Sequence, residues 1–164
     1  ASPEHLAAPL AALRRMGCRI TTGEQSITLT APEHLQGAGS IVTLPYPGFP
    51  TDLQAIFMAL AAAAEGYTAF TETVFPRRWA HGEELRRLGA DITVGGSHAV
   101  IRGAPLIGSA LTCTDLRAGA AVVLAALAAK GESSVTAISH IERGYADFVP
   151  TLRHLGADIC LTEV

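Results

Sequence analysis

The sequence predicts an inside-out α/β fold, in which buried helices are wrapped by strands and hairpins and one unit recurs along the chain. Three observations carry this. An octapeptide occurs three times, LRRMGCRI from Leu13, LRRLGADI from Leu85 and LRHLGADI from Leu152, at offsets of 72 (85 − 13) and 67 (152 − 85) residues. A Thr-Asp-Leu corner opening an alanine-rich run occurs at Thr51 and again at Thr114. The run between Ala118 and Ala129 is apolar on every face, which suits a helix surrounded by protein. In the common doubly wound fold the sheet is central and the helices flank it; here the order is reversed. Three matches of eight residues make internal repetition, about a pseudo-threefold, the organising feature.

Each octapeptide reads as the end of a helix, a glycine in the position that closes helices, and a following strand. After the first two, TTGEQSITLT (Thr21 to Thr30) and TVGGSHAVIRG (Thr93 to Gly103) have the pattern of hairpins. The runs from Thr51 to Gly66 and from Thr114 to Gly131 are the buried helices, with Asp52 and Asp115 offset by 63 (115 − 52). A strand follows each: YTAFTETVF (Tyr67 to Phe75) and SVTAISHI (Ser134 to Ile141). Then comes an arginine, Arg78 or Arg143, before the next octapeptide helix. The unit is therefore strand, helix, strand, helix, strand, strand. Residues 1–30 are the back half of one copy, 31–103 a second and 104–164 a third.

Composition narrows the function classes. The 164 residues are 49% hydrophobic and 16% charged, with a mean hydropathy of +0.31, so the chain can build a core and is not disordered. A net charge of −3 without a basic block excludes a nucleic-acid footprint. The longest apolar run falls short of the roughly 20 residues that span a bilayer, and the N-terminal stretch lacks signal-peptide features. Cys18, Cys113 and Cys160 are odd in number and widely spaced, which reads as buried thiols in a reducing, cytoplasmic setting. The six histidines lack metal-ligand spacing, and no dinucleotide or nucleotide-triphosphate loop is present. Neither a metal nor a cofactor is expected.

The chemistry-bearing residues sit at the repeated corners. Thr51 with Gln54 three residues on fits a capping box, and Asp52 in a first helical turn suits the helix dipole. Against plain capping stand the stiff approach PGFP, in which proline fixes the backbone, and a second aspartate, Asp115, at the matching corner. Arg117 lies in the first turn of its helix, where a cation opposes the dipole by roughly 0.3–1 kcal/mol. It serves either an anionic ligand or a pairing with Asp115. Arg78 and Arg143 hold equivalent places, and with Arg117 they could converge on a phosphate or carboxylate, which the guanidinium fork fits. Phe75 and Trp79 flank Arg78 either as core or as a platform beside a nucleotide or sugar.

PGFPTDLQAIFMALAAAAEG, TETVFPRRW, TDLRAGAAVVLAALAAKGE and HIERGY with LRHLGADI together resemble the UDP-N-acetylglucosamine 1-carboxyvinyltransferase (MurA-type) family of enolpyruvyl transferases. The likeness runs in order along nearly the whole chain. It implies a protein of two inside-out α/β globes, each of three βαβαββ units, of which this chain is most of one; the other globe is absent from the sequence. It implies transfer of the enolpyruvyl group of phosphoenolpyruvate to the 3-hydroxyl of UDP-N-acetylglucosamine, with release of phosphate, by addition and elimination. Asp52 then matches the aspartate that contacts that hydroxyl and is a candidate base. Val74 matches a position whose backbone meets the nucleotide sugar, with Phe75 beside it. Arg78, Asp115, Arg117 and Arg143 match residues facing phosphoenolpyruvate.

The pattern also departs from the family. Arg77-Arg78-Trp79 stands where Asn-Arg-Phe or Ala-Arg-Phe is usual, and Glu142 stands where an Asp precedes the arginine. The loop cysteine that acts as acid, and a Lys and Arg of the anion site, belong to the other globe, so this chain alone is not expected to turn over. Two alternatives stay open: another uridine nucleotide of secondary metabolism as acceptor, or a non-catalytic nucleotide-sugar-binding module.

Overall fold

In the computed structural model, which describes residues 2–162, the octapeptides close helices α1 (Ala7–Arg15), α3 (His81–Arg87) and α6 (Phe148–His154). The glycine after each, Gly17, Gly89 and Gly156, has φ of 93°, 95° and 95°, a left-handed conformation in which a side chain would be strained. Each end carries the same two bonds. Cys18, Ala90 and Ala157 N–H reach back to Leu13, Leu85 and Leu152 carbonyls, and each glycine N–H donates to the arginine carbonyl of its octapeptide. This double closure satisfies helix-end carbonyls that would otherwise be orphaned.

A hairpin of β1 (Arg19–Thr22) and β2 (Ile27–Thr30) follows α1. Next come β3 (Gly39–Val42), α2 (Gln54–Ala63) and β4 (Tyr67–Thr71), a parallel βαβ unit. After α3, β5 (Asp91–Gly95) and β6 (His98–Arg102) fold back as a hairpin, and the sheet order is β3-β4-β6-β5. A second parallel unit follows: β7 (Ala110–Thr112), α4 (Leu116–Ala128) and β8 (Ser134–Thr136). The short α5 (Ser139–Glu142) then leads towards α6.

Helices α2 and α4 pack against each other at the centre, and the sheet turns one face to them. Along β6 burial alternates, with Ala99 and Ile101 inside and Val100 outside, the period of a strand covered on one side. Phe57, Met58, Ala61 and Ala62 of α2 and Ala121, Val122 and Ala125 of α4 form the core with Ile41, Phe70 and Ile92 of the sheet. Leu85, fully buried, ties the second octapeptide to this core; truncating it to alanine would cost about 2–5 kcal/mol. Gly119 brings α5 close to α4, because a Cβ there would meet Ile141 Cγ1 at 2.8 Å and Cys113 Sγ at 3.0 Å.

The inside-out arrangement is as the sequence predicts; several local expectations are not met. The strand read over Tyr67 to Phe75 stops at Thr71, because the Glu72 carboxylate accepts from Val74 and Phe75 N–H and turns the chain. The strand read over Ser134 to Ile141 stops at Thr136, because Ala137 takes φ 57° and α5 follows from Ser139. No strand follows the third octapeptide within the described residues, whereas β1 and β5 follow the first two. The last turn of α4 emerges from the core, leaving Leu127 and Ala128 exposed. Cys18 and Cys113 are buried, but Cys160, in the strandless tail, is exposed.

Candidate active site

The two Thr-Asp-Leu corners fold differently. At the first, Thr51–Leu53 forms a single 3-10 turn ahead of α2, and no side chain caps it. The expected capping box is not made. Thr51 Oγ1 instead donates to Glu72 Oε2 at 2.9 Å, and Gln54 is wholly buried, its amide reaching the Arg78 carbonyl at 3.5 Å. Asp52 is left to face outward. It meets Arg78 Nη1 at 3.2 Å through Oδ1 and Arg117 Nη2 at 2.9 Å through Oδ2. Arg117 comes from α4, so the two α/β units meet at this carboxylate. The hydrogen bond and charge of Arg117, with those of Arg78, hold the Asp52 pKa below the ordinary carboxylate value despite some burial.

At the second corner Asp115 does what Asp52 was expected to do. Its Oδ1 accepts from Arg117 N–H at 2.8 Å and Ala118 N–H at 2.9 Å, an N-cap on α4. Arg117 therefore receives Asp115 at its backbone and gives its guanidinium to Asp52. Arg143 follows α5, and Gly144 beside it lies close against Leu116 at the start of α4. Its guanidinium meets His140 Nδ1 at 2.9 Å, so Arg78 and Arg117 converge on Asp52 while Arg143 does not.

Phe75 and Val74 stand in the bend after β4. The Arg78 guanidinium lies over the Phe75 ring, 4.8 Å from its centroid, and Phe75 remains 52% exposed. With Pro76 and Arg77 these residues line an open depression of about 540 Å³ next to the Asp52 turn. Trp79 resolves in favour of scaffold: its indole N–H donates to the Pro76 and Gly96 carbonyls, each at 3.0 Å, and its ring packs on the core.

Two residues at this site escaped sequence reasoning. Glu72 is 0% exposed. It accepts from Thr43 Oγ1 at 2.7 Å, Thr51 Oγ1 at 2.9 Å, Val74 N–H at 2.9 Å and Phe75 N–H at 3.0 Å. Burial pushes its pKa up, yet the bonds from Phe75, Thr43, Val74 and Thr51 together hold it below the ordinary value. His81 at the start of α3 is 2% exposed with Nε2 3.0 Å from Met58 Sδ. Burial lowers its pKa to about 4, assisted by Arg78 and opposed by Asp115. A charged residue at the end of an apolar strand was the available signal for Glu72; for His81 there was none. Among the described residues, no three His, Cys, Asp or Glu side chains gather as a metal ion would require.

Over residues 2–152 the chain matches the EPSP synthase (3-phosphoshikimate 1-carboxyvinyltransferase) family. The chain belongs to this family. Among curated relatives, the UDP-N-acetylglucosamine 1-carboxyvinyltransferase of Halothermothrix orenii is 47% identical over 156 residues, 95% of this chain and 37% of the relative. The enzyme of the same name from Synechocystis is 46% identical over 162 residues, 98% of this chain and 37% of the relative. Among solved structures, the enolpyruvyl transferase NikO from Streptomyces tendae superposes with a TM-score of 0.86 at 34% identity, covering 97% of this chain and 37% of that one. An EPSP synthase from Acinetobacter baumannii superposes with a TM-score of 0.66 at 21% identity, covering 95% and 37%, a likeness of fold. The chain thus has the family's inside-out α/β fold while spanning about 37% of the length of these relatives.

Proposed function

We propose that this chain is most of one globe of an enolpyruvyl transferase that moves the enolpyruvyl group of phosphoenolpyruvate to the 3-hydroxyl of UDP-N-acetylglucosamine, releasing phosphate in cytoplasmic peptidoglycan synthesis. Residues 1–30, 31–103 and 104–164 are its three repeats, the first incomplete, and the rest of the protein supplies the other globe. The observation that carries the reading is the Asp52 carboxylate held between Arg78 and Arg117, guanidinium groups from two different α/β units. Its 53% exposed side chain can be reached by a ligand. The similarity to UDP-N-acetylglucosamine 1-carboxyvinyltransferases supports the acceptor.

In the reaction, Asp52 takes the proton of the sugar hydroxyl as its oxygen adds to C2 of phosphoenolpyruvate, and an acid from the other globe protonates C3. Loss of a C3 proton and of phosphate then restores the double bond. Arg78, Arg117 and Arg143 bind the phosphate and carboxylate of the donor, with Asp115 beside them, and Val74 with Phe75 meets the nucleotide sugar. An anion that enters between Arg78 and Arg117 competes with Asp52 for them. Once a fork is drawn away the Asp52 carboxylate becomes more basic, so donor binding readies the base.

A second reading, another uridine nucleotide as acceptor, is favoured by Arg77 on the rim of the depression where the family has a neutral residue. The test is phosphate release by the complete gene product, offered phosphoenolpyruvate with UDP-N-acetylglucosamine or with UMP. Release with the sugar nucleotide is expected. Release with UMP alone selects the second reading, and release with neither refutes transfer.

A further inference from the structure

We propose that Glu72 is a positioning residue for Asp52: by holding Thr51 it keeps the first Thr-Asp-Leu corner out of a capping conformation and presents the Asp52 carboxylate to the cleft. The inference rests on the enolpyruvyl-transfer reading and deepens it by naming what aims the base.

The repeat supplies an internal control. Thr71 pairs with Val42 at the end of the first parallel unit, and Thr136 pairs with Thr112 at the end of the second. One residue on, Thr43 N–H donates to Thr71 O and Cys113 N–H donates to Thr136 O. Thr43 is therefore the counterpart of Cys113, and Glu72 the counterpart of Ala137. The second unit makes the same parallel pair with a thiol and a methyl group in these places, although its corner follows the strand directly whereas the first is reached through the PGFP turn. The fold does not need a buried carboxylate here. Where it is missing, the corner aspartate caps its own helix; where it is present, the corner threonine is drawn to it and the aspartate faces the arginines.

The connections of Glu72 match such a role. Oε1 takes Thr43, Val74 and Phe75, fixing the bend beside the depression, and Oε2 takes Thr51, the residue before Asp52. Thr51 Oγ1 also accepts from Arg78 Nη1 at 3.2 Å, so its hydroxyl proton is committed to Glu72. A charged acceptor with four donors and no solvent is a strong, fixed anchor.

Glu72→Gln tests this selectively. An amide oxygen at the Oε1 place keeps three of the four bonds, and the amide nitrogen at the Oε2 place confronts Thr51, whose oxygen already serves Arg78. In the complete gene product, turnover should fall about tenfold or more, the scale of a displaced reacting group, with a smaller change in KM. Thr51→Val should fall equally, and the double variant should lose no more than either single one. Glu84→Gln, another buried glutamate, which accepts from Thr112 N–H, should lower the melting temperature and spare turnover. If Glu72→Gln and Thr51→Val melt lower but turn over as wild type, Glu72 is scaffold and the inference is overturned. Should wild type turn over neither acceptor, the activity reading fails separately, and carbon-detected NMR of this chain decides the positioning. A shifted Asp52 carboxyl titration in Thr51→Val upholds it; an unmoved one overturns it.

Discussion

The corner at Thr51 and the corner at Thr114 start from the same three residues and end in different structures. Asp115 turns back onto its own helix and caps it through two backbone N–H groups. Asp52 leaves its helix uncapped and joins two arginines instead. The first corner is approached through PGFP, and Glu72, 21 residues along the chain, accepts the Thr51 hydroxyl that a capping box would use. A repeated fold can thus keep one copy for stability and release the other, provided a side chain from outside the corner holds the released form.

The comparison can be broken first at turnover. Asp52→Ala in the complete gene product should lower kcat by at least about 10²-fold, the scale of a lost acid–base group, read by phosphate release. A near-wild-type kcat with only a lower melting temperature would make both aspartates structural.

Next in size is His81, which feels Arg78 of one corner and Asp115 of the other. Its folded pKa is depressed from 6.5 to about 4, so between these values the unfolded chain binds more protons. Its contribution to stability is complete above pH 6.5 and is lost as pH falls towards 4, by up to about 3 kcal/mol. Urea unfolding across this range should show the loss, and His81→Gln should flatten the slope.

A smaller effect is expected at Arg117, which both corners share. Arg117→Gln should weaken phosphoenolpyruvate binding by about tenfold, the loss of one charge-assisted contact, as measured by calorimetry; unchanged affinity would count against an anion role. Smallest is the cap itself. Asp115→Ala should destabilise by about 1 kcal/mol in urea unfolding, whereas Asp52→Ala should cost less than this because there is no cap to lose.

Much of this was legible in the sequence, and what was not has a physical reason. The three helix ends were readable because a glycine after an arginine-rich helical turn has one economical closure, and all three adopt it. The buried helices were readable because no face of Ala118 to Ala129 offers a polar side to water. Asp52, Arg78 and Arg117 could be singled out from their places in the repeat. Their mutual contact could not, since the sequence leaves Arg117 free to turn to Asp115, and the packing of α4 on α2 sets the geometry. The capping box failed because local pattern cannot see Glu72, and the same residue shortened the strand that contains it. Arg143 was grouped with its repeat partner Arg78, but α5 occupies the chain just before it and supplies His140 as a neighbour.

The most direct test of the central claim, that Asp52 is freed from its helix and held ionised between two arginines, is the titration of its carboxyl carbon by NMR. It needs wild type and Arg117→Gln. A wild-type midpoint below the ordinary carboxylate value of 3.8, moving up when Arg117 is replaced, is the expected result. An Asp52 midpoint at the ordinary value, unchanged by that replacement, would contradict it.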